Sequence, residues 1–384
     1  EPIFDDQGSY SIGCIHLDPT NPQIVWLGTG ENNSQRSVSY GDGVYKSLDG
    51  GKSWQHMGLK ESMHIGEIEV DPRDGDVVWV AAMGPLWGPG GDRGLYKSTD
   101  GGQTWVKSLE IDEHTGVVSI ELDPRDPDTI YAAAYQRRRH TWTLINGGPS
   151  SGIWKSTDGG ASWREVNKGL PGGDKGRIGL AIAPTAPDTV YAIVEAVGDK
   201  SGFYRSSDQG ENWARTSDYI SSSPQYYNEI YVDPHDPARI YSLDTYLHRS
   251  QDAGDTWERV PLKGKHVDDH AIWFDPEAPG HLLVGSDGGL YETFDHGEQW
   301  RYFENIPVTQ FYRVAVDDDT PFYNVYGGTQ DNNTQGGPSR TFSRSGVTTA
   351  DWFVTLGGDG FEPAIEPGNP DIVYSQWQHG NLVR

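Results

Sequence analysis

The strongest constraint on the fold is a ten-residue phrase that the chain carries six times. It reads YKSLDGGKSW at residues 45–54 and returns as YKSTDGGQTW, WKSTDGGASW, YRSSDQGENW, HRSQDAGDTW and YETFDHGEQW. The shared pattern is S/T-x-D-x-G-x-x-W, and successive copies lie 43 to 58 residues apart. A fixed phrase at such intervals indicates a repeat architecture, in which each repeat is one supersecondary unit.

A second phrase alternates with the first. It reads LDPTNPQIVWLGTG at residues 17–30 and recurs in forms such as LDPRDPDTIYAAA and VDPHDPARIYSLD. Each repeat therefore contains strand A, a Pro turn, strand B, a variable loop, strand C, an Asp-Gly turn and a Trp that opens strand D. Four antiparallel strands per repeat predict a β-propeller blade.

The sequence thus predicts an all-β fold, a β-propeller of seven to eight four-stranded antiparallel blades. Seven complete units are expected to begin near these residues: Ser11, Gly66, Gly116, Arg177, Asn228, His270 and Phe311. Residues 360–384 supply strands A, B and C of an eighth unit, and the opening residues EPIF have the character of a strand D.

The Asp and Trp of the repeated phrase are expected to be structural. The carboxylate can accept backbone N–H groups of its own turn, Gly permits positive φ, and the Trp ring is buried between neighbouring sheets. A catalytic residue is needed once and not at six equivalent positions. The predicted structural residues are Asp49, Trp54, Asp100, Trp105, Asp158, Trp163, Asp208, Trp213, Asp252, Trp257, Asp295 and Trp300.

The amino-acid composition excludes some classes of binding partner. The net charge of −26 disfavours nucleic acid and anionic membranes, since both would be repelled. No run of 18 apolar residues is present, so direct membrane insertion is not expected. One cysteine, Cys14, allows no disulfide within the chain. Few Cys and Met residues in an acidic chain favour a secreted, periplasmic or cell-surface protein.

The phrase KSTDGGQTW is the Asp box of the bacterial neuraminidase (BNR) repeat. Together with LDPRDPDTIYAAA, it resembles secreted bacterial propellers of the sortilin and xyloglucanase types. The resemblance covers essentially the whole chain and implies the fold, but its members differ in activity. We predict one propeller over residues 1–384. The resemblance favours a fragment of a longer, multi-propeller protein; the alternative is that strand EPIF closes the eighth blade.

Strand order predicts where ligands bind. In an antiparallel blade the A–B and C–D turns share one end, so the Pro turns and Asp boxes form a repetitive end. The irregular B–C and D–A loops lie at the opposite end, which we call the loop end. These loops mix carboxylates, arginines, amides and aromatic residues. That mixture suits a glycan and also an extended peptide.

Carboxylates in these loops are candidates for catalysis. Asp331 in TQDNN and Asp359 in GGDGF are the catalytic candidates, as general acid and base for glycoside hydrolysis. The alternative is that each accepts backbone N–H groups in a Gly-rich turn. The remaining ligand-binding candidates in carboxylate- or amide-rich loops are Glu31, His270, Asp287 and Gln330.

Two acidic segments contain residue types that bind metal ions. The segment HVDDH places His266, Asp268 and Asp269 beside His270, and His and carboxylate side chains are metal ligands. The alternative is a hydrogen-bonded rim. The segment VDDDTP at 316–321 has the carboxylate density of a calcium site or, alternatively, is a solvated turn. No cofactor is otherwise expected.

The only basic cluster is Arg137–His140, followed by Trp142. It can bind a sugar acid or a peptide carboxylate, or it can pair with neighbouring acidic loops. The ligand-binding candidates in this group are Arg36, Trp87, Arg138, His140 and Trp142.

Three functions remain open from the sequence. The first is a secreted propeller that binds a glycan or an extracellular peptide. The second is a glycoside hydrolase, and the third is a structural module of a larger extracellular assembly. The Arg-Ile-Pro phrase of sialidases is absent, and the two catalytic Asp residues of xyloglucanase-type enzymes cannot be placed by motif.

Overall fold

The computed structural model describes residues 2–306 and 308–384. In this part of the chain the regular elements are β-strands and four short 3-10 turns, Lys60–Ser62, Gly198–Lys200, Thr349–Asp351 and Gln378–Gly380. No helix in the described ranges has the length and apolar character needed to span a membrane. The chain divides into two compact units, Glu1–Val260 and Pro261–Arg384.

The first unit contains five antiparallel sheets, each a blade with its strands in chain order, except that in blade 3 the extra strand β11 pairs only with β10. Blade 1 has β1 Ile12–Leu17, β2 Val25–Thr29, β3 Val44–Ser47 and β4 Gln55–Gly58. Blade 2 has β5 Ile65–Val70, β6 Val78–Met83, β7 Arg93–Ser98 and β8 Val106–Leu109. Blade 3 has β9 Thr115–Asp123, β10 Asp126–His140, β11 Thr143–Asn146, β12 Gly152–Ser156 and β13 Arg164–Glu165. Blade 4 has β14 Lys175–Ile182, β15 Val190–Ala196, β16 Gly202–Ser206 and β17 Ala214–Ser217. Blade 5 has β18 Glu229–Val232, β19 Ile240–Leu243, β20 His248–Ser250 and β21 Glu258–Arg259.

The second unit contains three sheets of the same topology. Blade 6 has β22 Asp269–Phe274, β23 Leu282–Ser286, β24 Gly289–Thr293 and β25 Arg301–Tyr302. Blade 7 has β26 Arg313–Val316, β27 Asn324–Gly328, β28 Thr334–Pro338 and β29 Phe353–Leu356. Blade 8 has three strands, β30 Ala364–Glu366, β31 Asn369–Trp377 and β32 Asn381–Val383.

The predicted fold class is confirmed: the protein is an all-β propeller of four-stranded antiparallel blades, with a fifth strand in blade 3 and three strands in the eighth sheet. Each complete blade begins within two residues of its predicted start. The prediction of one propeller over residues 1–384 stays a prediction. Glu1, the first residue of the predicted head strand, lies outside the described residues.

The core of the first unit lies between successive blades. Trp26 and Val44 of blade 1 pack with Ile65, Val78 and Val80 of blade 2. Equivalent clusters join blades 2 and 3, blades 3 and 4, and blades 4 and 5. Because apolar side chains from two sheets fill each cluster, each blade depends on its neighbour for burial.

The Asp boxes are self-bonded turns. In the first box the Ser53 N–H donates to Asp49 Oδ1 at 2.9 Å and the Ser53 hydroxyl donates to Oδ2 at 2.7 Å, while Ser47 Oγ bonds Oδ1 at 2.8 Å. Equivalent bonds to both carboxylate oxygens recur at the other five box aspartates, Asp100, Asp158, Asp208, Asp252 and Asp295. Gly101 N–H of the second box also donates to Asp76 O of the Pro turn, so both turns share one end of the sheet.

Box tryptophans of the first unit bond the blade that precedes their own. Trp105 Nε1 donates to Met57 O of β4 at 2.7 Å, and Trp213 Nε1 donates to Val166 O, which follows β13, at 2.7 Å. In the second unit Trp300 Nε1 donates to Pro261 O at 2.9 Å. Trp54 of blade 1 donates to Ile3 O at 2.7 Å, and Phe4 packs edge-on against Trp54. Residues 3–4 therefore contact blade 1 as a strand D does, although they form no strand.

Candidate functional site

The residues singled out from the sequence form two groups, one in each unit, and each is described by itself. The first unit holds Glu31, Arg36, Trp87, Arg138, His140 and Trp142. The second unit holds His266, Asp268, Asp269, His270, Asp287, Gln330, Asp331 and Asp359. Both groups lie at the loop ends of their blades, in B–C and D–A loops or at the strand ends beside them.

Asp331 and Asp359 are in contact in the second unit. Asp331 follows β27, with its backbone in the left-handed region (φ 57°), and Asp359 follows β29. The Asp331 N–H donates to Asp359 Oδ1 at 2.6 Å. Desolvation, a hydrogen bond between the two side chains and the charge of Asp359 raise the pKa of Asp331 to about 6. The pair therefore holds a proton on Asp331 under mildly acidic conditions.

The contact between these side chains bears on hydrolysis. Retaining glycosidases separate their carboxyl groups by about 5 Å and inverting enzymes by about 6.5–9.5 Å. Two carboxyls that share a hydrogen bond are closer than either separation. In this conformation Asp331 and Asp359 form an interacting carboxyl pair and not two groups set apart across a cleft.

Polar neighbours surround the pair. The His266 imidazole bonds Asp331 O through Nε2 at 3.2 Å, and Asn332 Nδ2 donates to Asp287 O at 2.9 Å. His270 Nε2 lies 3.0 Å from Asp287 Oδ1. The Tyr312 hydroxyl donates to Gln330 Oε1 at 2.5 Å. Loops from blades 6 and 7 thus bring five of the predicted residues, His266, His270, Asp287, Gln330 and Asp331, to one place.

A groove of about 450 Å³ opens beside the carboxyl pair. Its lining includes Tyr312, Gln330, Asp359, Phe361, Trp377 and Gln378. The Tyr312 and Phe361 rings lie 5.4 Å apart, and each side chain is nearly half exposed. The groove thus combines three aromatic rings with amides and a carboxylate. We call it the blade 7–8 groove.

Sequence reasoning missed the three aromatic residues of this groove. Phe361 belongs to the loop GGDGF, in which only the carboxylate was singled out, and Trp377 ends β31. Their positions in the repeat could have identified them, because an aromatic residue that lies at the end of strand B or just before strand A is at the loop end of its blade.

The metal candidates are held by other contacts. Asp269 is fully buried in an ion pair with Lys265, and His266 bonds the carbonyl oxygens of Val267 and Asp331. The carboxylate of Asp317 in VDDDTP accepts bonds from both Asn324 nitrogens and from the Tyr326 hydroxyl. Within residues 2–306 and 308–384 no group of three or more His, Cys, Asp or Glu side chains is arranged to hold a metal ion. The calcium site stays a prediction.

In the first unit, Glu31 holds its own loop. Its carboxylate accepts bonds from Asn33 Nδ2 and from the Ser39 N–H, both at 3.1 Å. Its carbonyl is bonded by His64 Nδ1 at 2.8 Å. The following residue, Asn32, is fixed in turn by Arg177, whose Nη1 donates to Asn32 O at 2.7 Å. This loop is therefore anchored by side chains from blades 2 and 4.

The side chains of the basic cluster alternate along β10 between a buried face and an accessible face. Arg137 and Arg139 are buried, 1% and 9% exposed, and donate to backbone carbonyls of other loops. Arg138 and His140 alternate with them, and Trp142 at the hairpin tip is 82% exposed. Trp87 is 49% exposed, and Arg36 is exposed. Four of the predicted ligand-binding residues, Arg36, Trp87, His140 and Trp142, thus have accessible side chains.

The chain was compared with known proteins. The BNR/Asp-box repeat family matches residues 96–107, which span the second box. A "probable oligoxyloglucan-reducing end-specific xyloglucanase" of Neosartorya fischeri is 28% identical over 80% of this chain and 38% of its own length. The photosystem II assembly lipoprotein Ycf48 of Synechococcus sp. is 22% identical over 73% of this chain and 75% of its own. The chain spans under two fifths of that xyloglucanase.

Among solved structures, Ycf48 bound to the D1 peptide superposes with a TM-score of 0.50 at 14% identity. The match covers 83% of this chain and 89% of that one. At this identity the likeness concerns the fold. It agrees with the propeller topology found in the sheets.

Proposed function

We propose that this chain, which is built of BNR/Asp-box repeats on a β-propeller, binds an extended neutral glycan in the blade 7–8 groove. The observation that carries the proposal is the convergence of Tyr312, Phe361 and Trp377 with amide and carboxyl side chains in one groove. Aromatic faces stack on the C–H faces of sugar rings, and amides and carboxyls bond sugar hydroxyls. The xyloglucanase name of a relative makes xyloglucan the first ligand to test.

Affinity electrophoresis and calorimetry with xyloglucan oligosaccharides test this function. We expect saturable binding that Trp377→Ala and Phe361→Ala each weaken by roughly tenfold, because each removes a stacking surface. Phe342→Ala is the matched control, since Phe342 is 85% exposed in the same unit and contacts Phe322. Binding that the groove variants leave unchanged would contradict the proposal.

Glycoside hydrolysis is the second candidate function. Two observations favour it: the xyloglucanase relative and the pKa of about 6 at Asp331, which suits a general acid. Hydrolysis requires the carboxyl pair to separate when a sugar enters. Newly formed reducing ends, lost in both Asp331→Asn and Asp359→Asn, would make the protein an enzyme. Retention of xyloglucan without newly formed reducing ends would show that the protein binds the glycan and does not hydrolyse it.

The other predicted roles are separated by the same measurements. An extracellular peptide ligand is tested by replacing the glycan with a peptide library; peptide retention lost in Trp377→Ala would replace the glycan proposal. Retention of neither ligand would favour a structural module. A glycan ligand is in keeping with the predicted secreted, periplasmic or cell-surface location, which cell fractionation tests.

A further inference from the structure

A projecting hairpin in the first unit carries groups that the proposed function does not use. Strand β10 continues beyond its blade and pairs with β11, with Arg138 opposite Ile145 and His140 opposite Thr143. Thr141 and Trp142 form the two-residue turn. Because alternate residues of a strand point to opposite faces, Arg137 and Arg139 share one face, and Arg138 and His140 share the other.

The inward face fixes the hairpin. Arg137 Nη1 donates to Asn33 O at 2.6 Å, and Arg139 donates to Ser34 O from Nε at 2.9 Å and from Nη2 at 2.6 Å. The Arg139 N–H also bonds Leu86 O at 2.9 Å. Charge-assisted bonds to buried carbonyls are strong, so the hairpin is a rigid support and not a loose loop.

The outward face carries an exposed aromatic plane. The Trp142 ring stacks on the His140 imidazole, with ring centres 5.2 Å apart and planes 12° from parallel. The Trp142 side chain nevertheless remains 82% exposed, because its second face is open to solvent. The stacking fixes the ring orientation before any ligand arrives, which lowers the entropic cost of binding.

One unpaired guanidinium shares the outward face. Arg138 lies two residues before His140 on the same face of β10. In the part of the chain that the structure describes, the Arg138 side chain has no ion pair or hydrogen bond, and its Nε is shielded from solvent. An unpaired arginine is notable in a chain of net charge −26, because carboxylates are plentiful.

We propose that Arg138, His140 and Trp142, together called the hairpin surface, bind an acidic sugar unit of an anionic polysaccharide, such as a uronic acid. The open face of Trp142 stacks on the sugar ring, and the Arg138 guanidinium pairs with its carboxylate. A neutral sugar would leave this cation unpaired, whereas an acidic peptide would offer no flat ring to the tryptophan. This second ligand class does not depend on the blade 7–8 groove.

Oligogalacturonate and its methyl ester form a matched ligand pair, since esterification removes the charge and keeps the sugar rings. We expect the full chain to bind oligogalacturonate in calorimetry and the methyl ester at least tenfold more weakly. Trp142→Ala and Arg138→Gln are each expected to weaken oligogalacturonate binding by roughly tenfold, and added salt weakens it further. Trp377→Ala and Phe342→Ala serve as controls and leave it unchanged.

Three outcomes would overturn the proposal. Equal binding of acid and methyl ester would exclude the ion pair, and unchanged binding by Trp142→Ala would exclude stacking. Equal binding of poly-glutamate would show charge attraction without sugar recognition. Trp142 is exposed, so its replacement is expected to keep the unfolding midpoint, and an unchanged midpoint assigns any lost binding to the surface. Loss of xyloglucan binding in Trp377→Ala reports separately on the groove.

Discussion

Single carboxylates of this protein differ in acidity because their surroundings differ. The Asp49 carboxylate accepts bonds from the Ser53 hydroxyl and N–H and from the Ser47 hydroxyl, which lower its pKa to about 2. Asp331 is partly desolvated and faces a second carboxyl, and its pKa rises to about 6. Donors thus stabilise the charged form in the boxes, and a like group destabilises it in the loop.

The raised pKa of Asp331 predicts a stabilising substitution. We expect Asp331→Asn to raise the urea midpoint at about pH 7.5, because it removes a charge that the folded state disfavours. The left-handed backbone at this position tolerates Asn. The stability that the acid form provides is present below the unfolded pKa, near 4, and is lost as pH rises through about 6.

At about pH 4, therefore, the variant and the parent chain are expected to have the same midpoint. Asp371→Asn, at an exposed position, is the control and should change neither value. A stabilisation that persists equally at both pH values would show that charge is not its cause.

The residue scale also shows what the sequence could predict. The six boxes were predictable because each motif contains its own donors and acceptor, as Ser47, Asp49 and Ser53 illustrate. The contact of Asp331 with Asp359 joins two loops 28 residues apart. Strand order places both loops at one end but does not give the distance between side chains.

At the scale of the element, each of blades 1 to 4 is joined to the next blade by a cation. Lys46 Nζ reaches from β3 to Gly101 O in the box turn of blade 2 at 3.1 Å and lies 4.5 Å above the Trp26 ring. Lys97, Lys155 and Arg205 make the corresponding bond to the box turns of blades 3, 4 and 5. These cations stabilise turns that belong to another repeat.

We expect Lys46→Met to destabilise the fold. Met keeps most of the side-chain volume, so the loss is mainly the charge-assisted hydrogen bond and the contact with Trp26. Together these are worth about 2–3 kcal/mol. Urea unfolding measures the change, and Lys52→Met is the matched control, because Lys52 is an exposed lysine of the same box. Equal effects of the two substitutions would contradict an inter-blade role for Lys46.

Strands and turns were predictable at this scale because their signals are local. The hairpin of β10 and β11 was not, since the run Arg137–Arg139 has the composition of an exposed basic patch. Its inward arginines are satisfied by carbonyls of Asn33 and Ser34, about a hundred residues away in the chain. Burial of an arginine depends on such remote acceptors, which composition does not reveal.

At the scale of the molecule, an acidic cluster lies on the A strands of the first unit. Glu67 and Glu69 of β5 are close to Glu121 of β9, and His16 Nδ1 lies 3.6 Å from Glu69 Oε1. Desolvation, together with mutual repulsion at Glu67, raises the pKa of both Glu67 and Glu69 to about 8, and the pKa of Glu121 is also raised. These carboxyls therefore stay largely protonated at neutral pH, and only a pH above about 8 forces charge into a place that disfavours it.

The fold is consequently expected to lose stability as the pH rises above neutrality. A raised folded pKa gives stability that is complete below the unfolded pKa, near 4, and is lost as pH rises through about 8. His16 and His64 have lowered pKa values and are neutral in both states above about pH 6.5, so we expect the free energy of unfolding, measured with urea, to fall by a few kcal/mol between about pH 6.5 and pH 8.5. Stability that increases over this range would contradict the assignment.

Glu67→Gln isolates the cluster from other titrating groups. Gln retains an acceptor for the Ile120 N–H, which donates to Glu67 Oε2 at 2.7 Å, and it removes the charge. The variant is expected to be more stable than the parent chain at about pH 8.5 and less dependent on pH. Glu110→Gln, at an exposed glutamate, should reproduce neither effect.

The inter-blade cations have a consequence for how such chains evolve. Each of the first five repeats brings a cation in its third strand and an acceptor in its box turn, so a duplicated repeat carries both partners of this bond. Duplication therefore supplies this contact to the new neighbour without a further substitution. Glu292 stands where the other repeats have Lys or Arg and bonds His281 instead. The third strand of blade 6 therefore offers no cation to a following box turn, although another blade follows it in the chain.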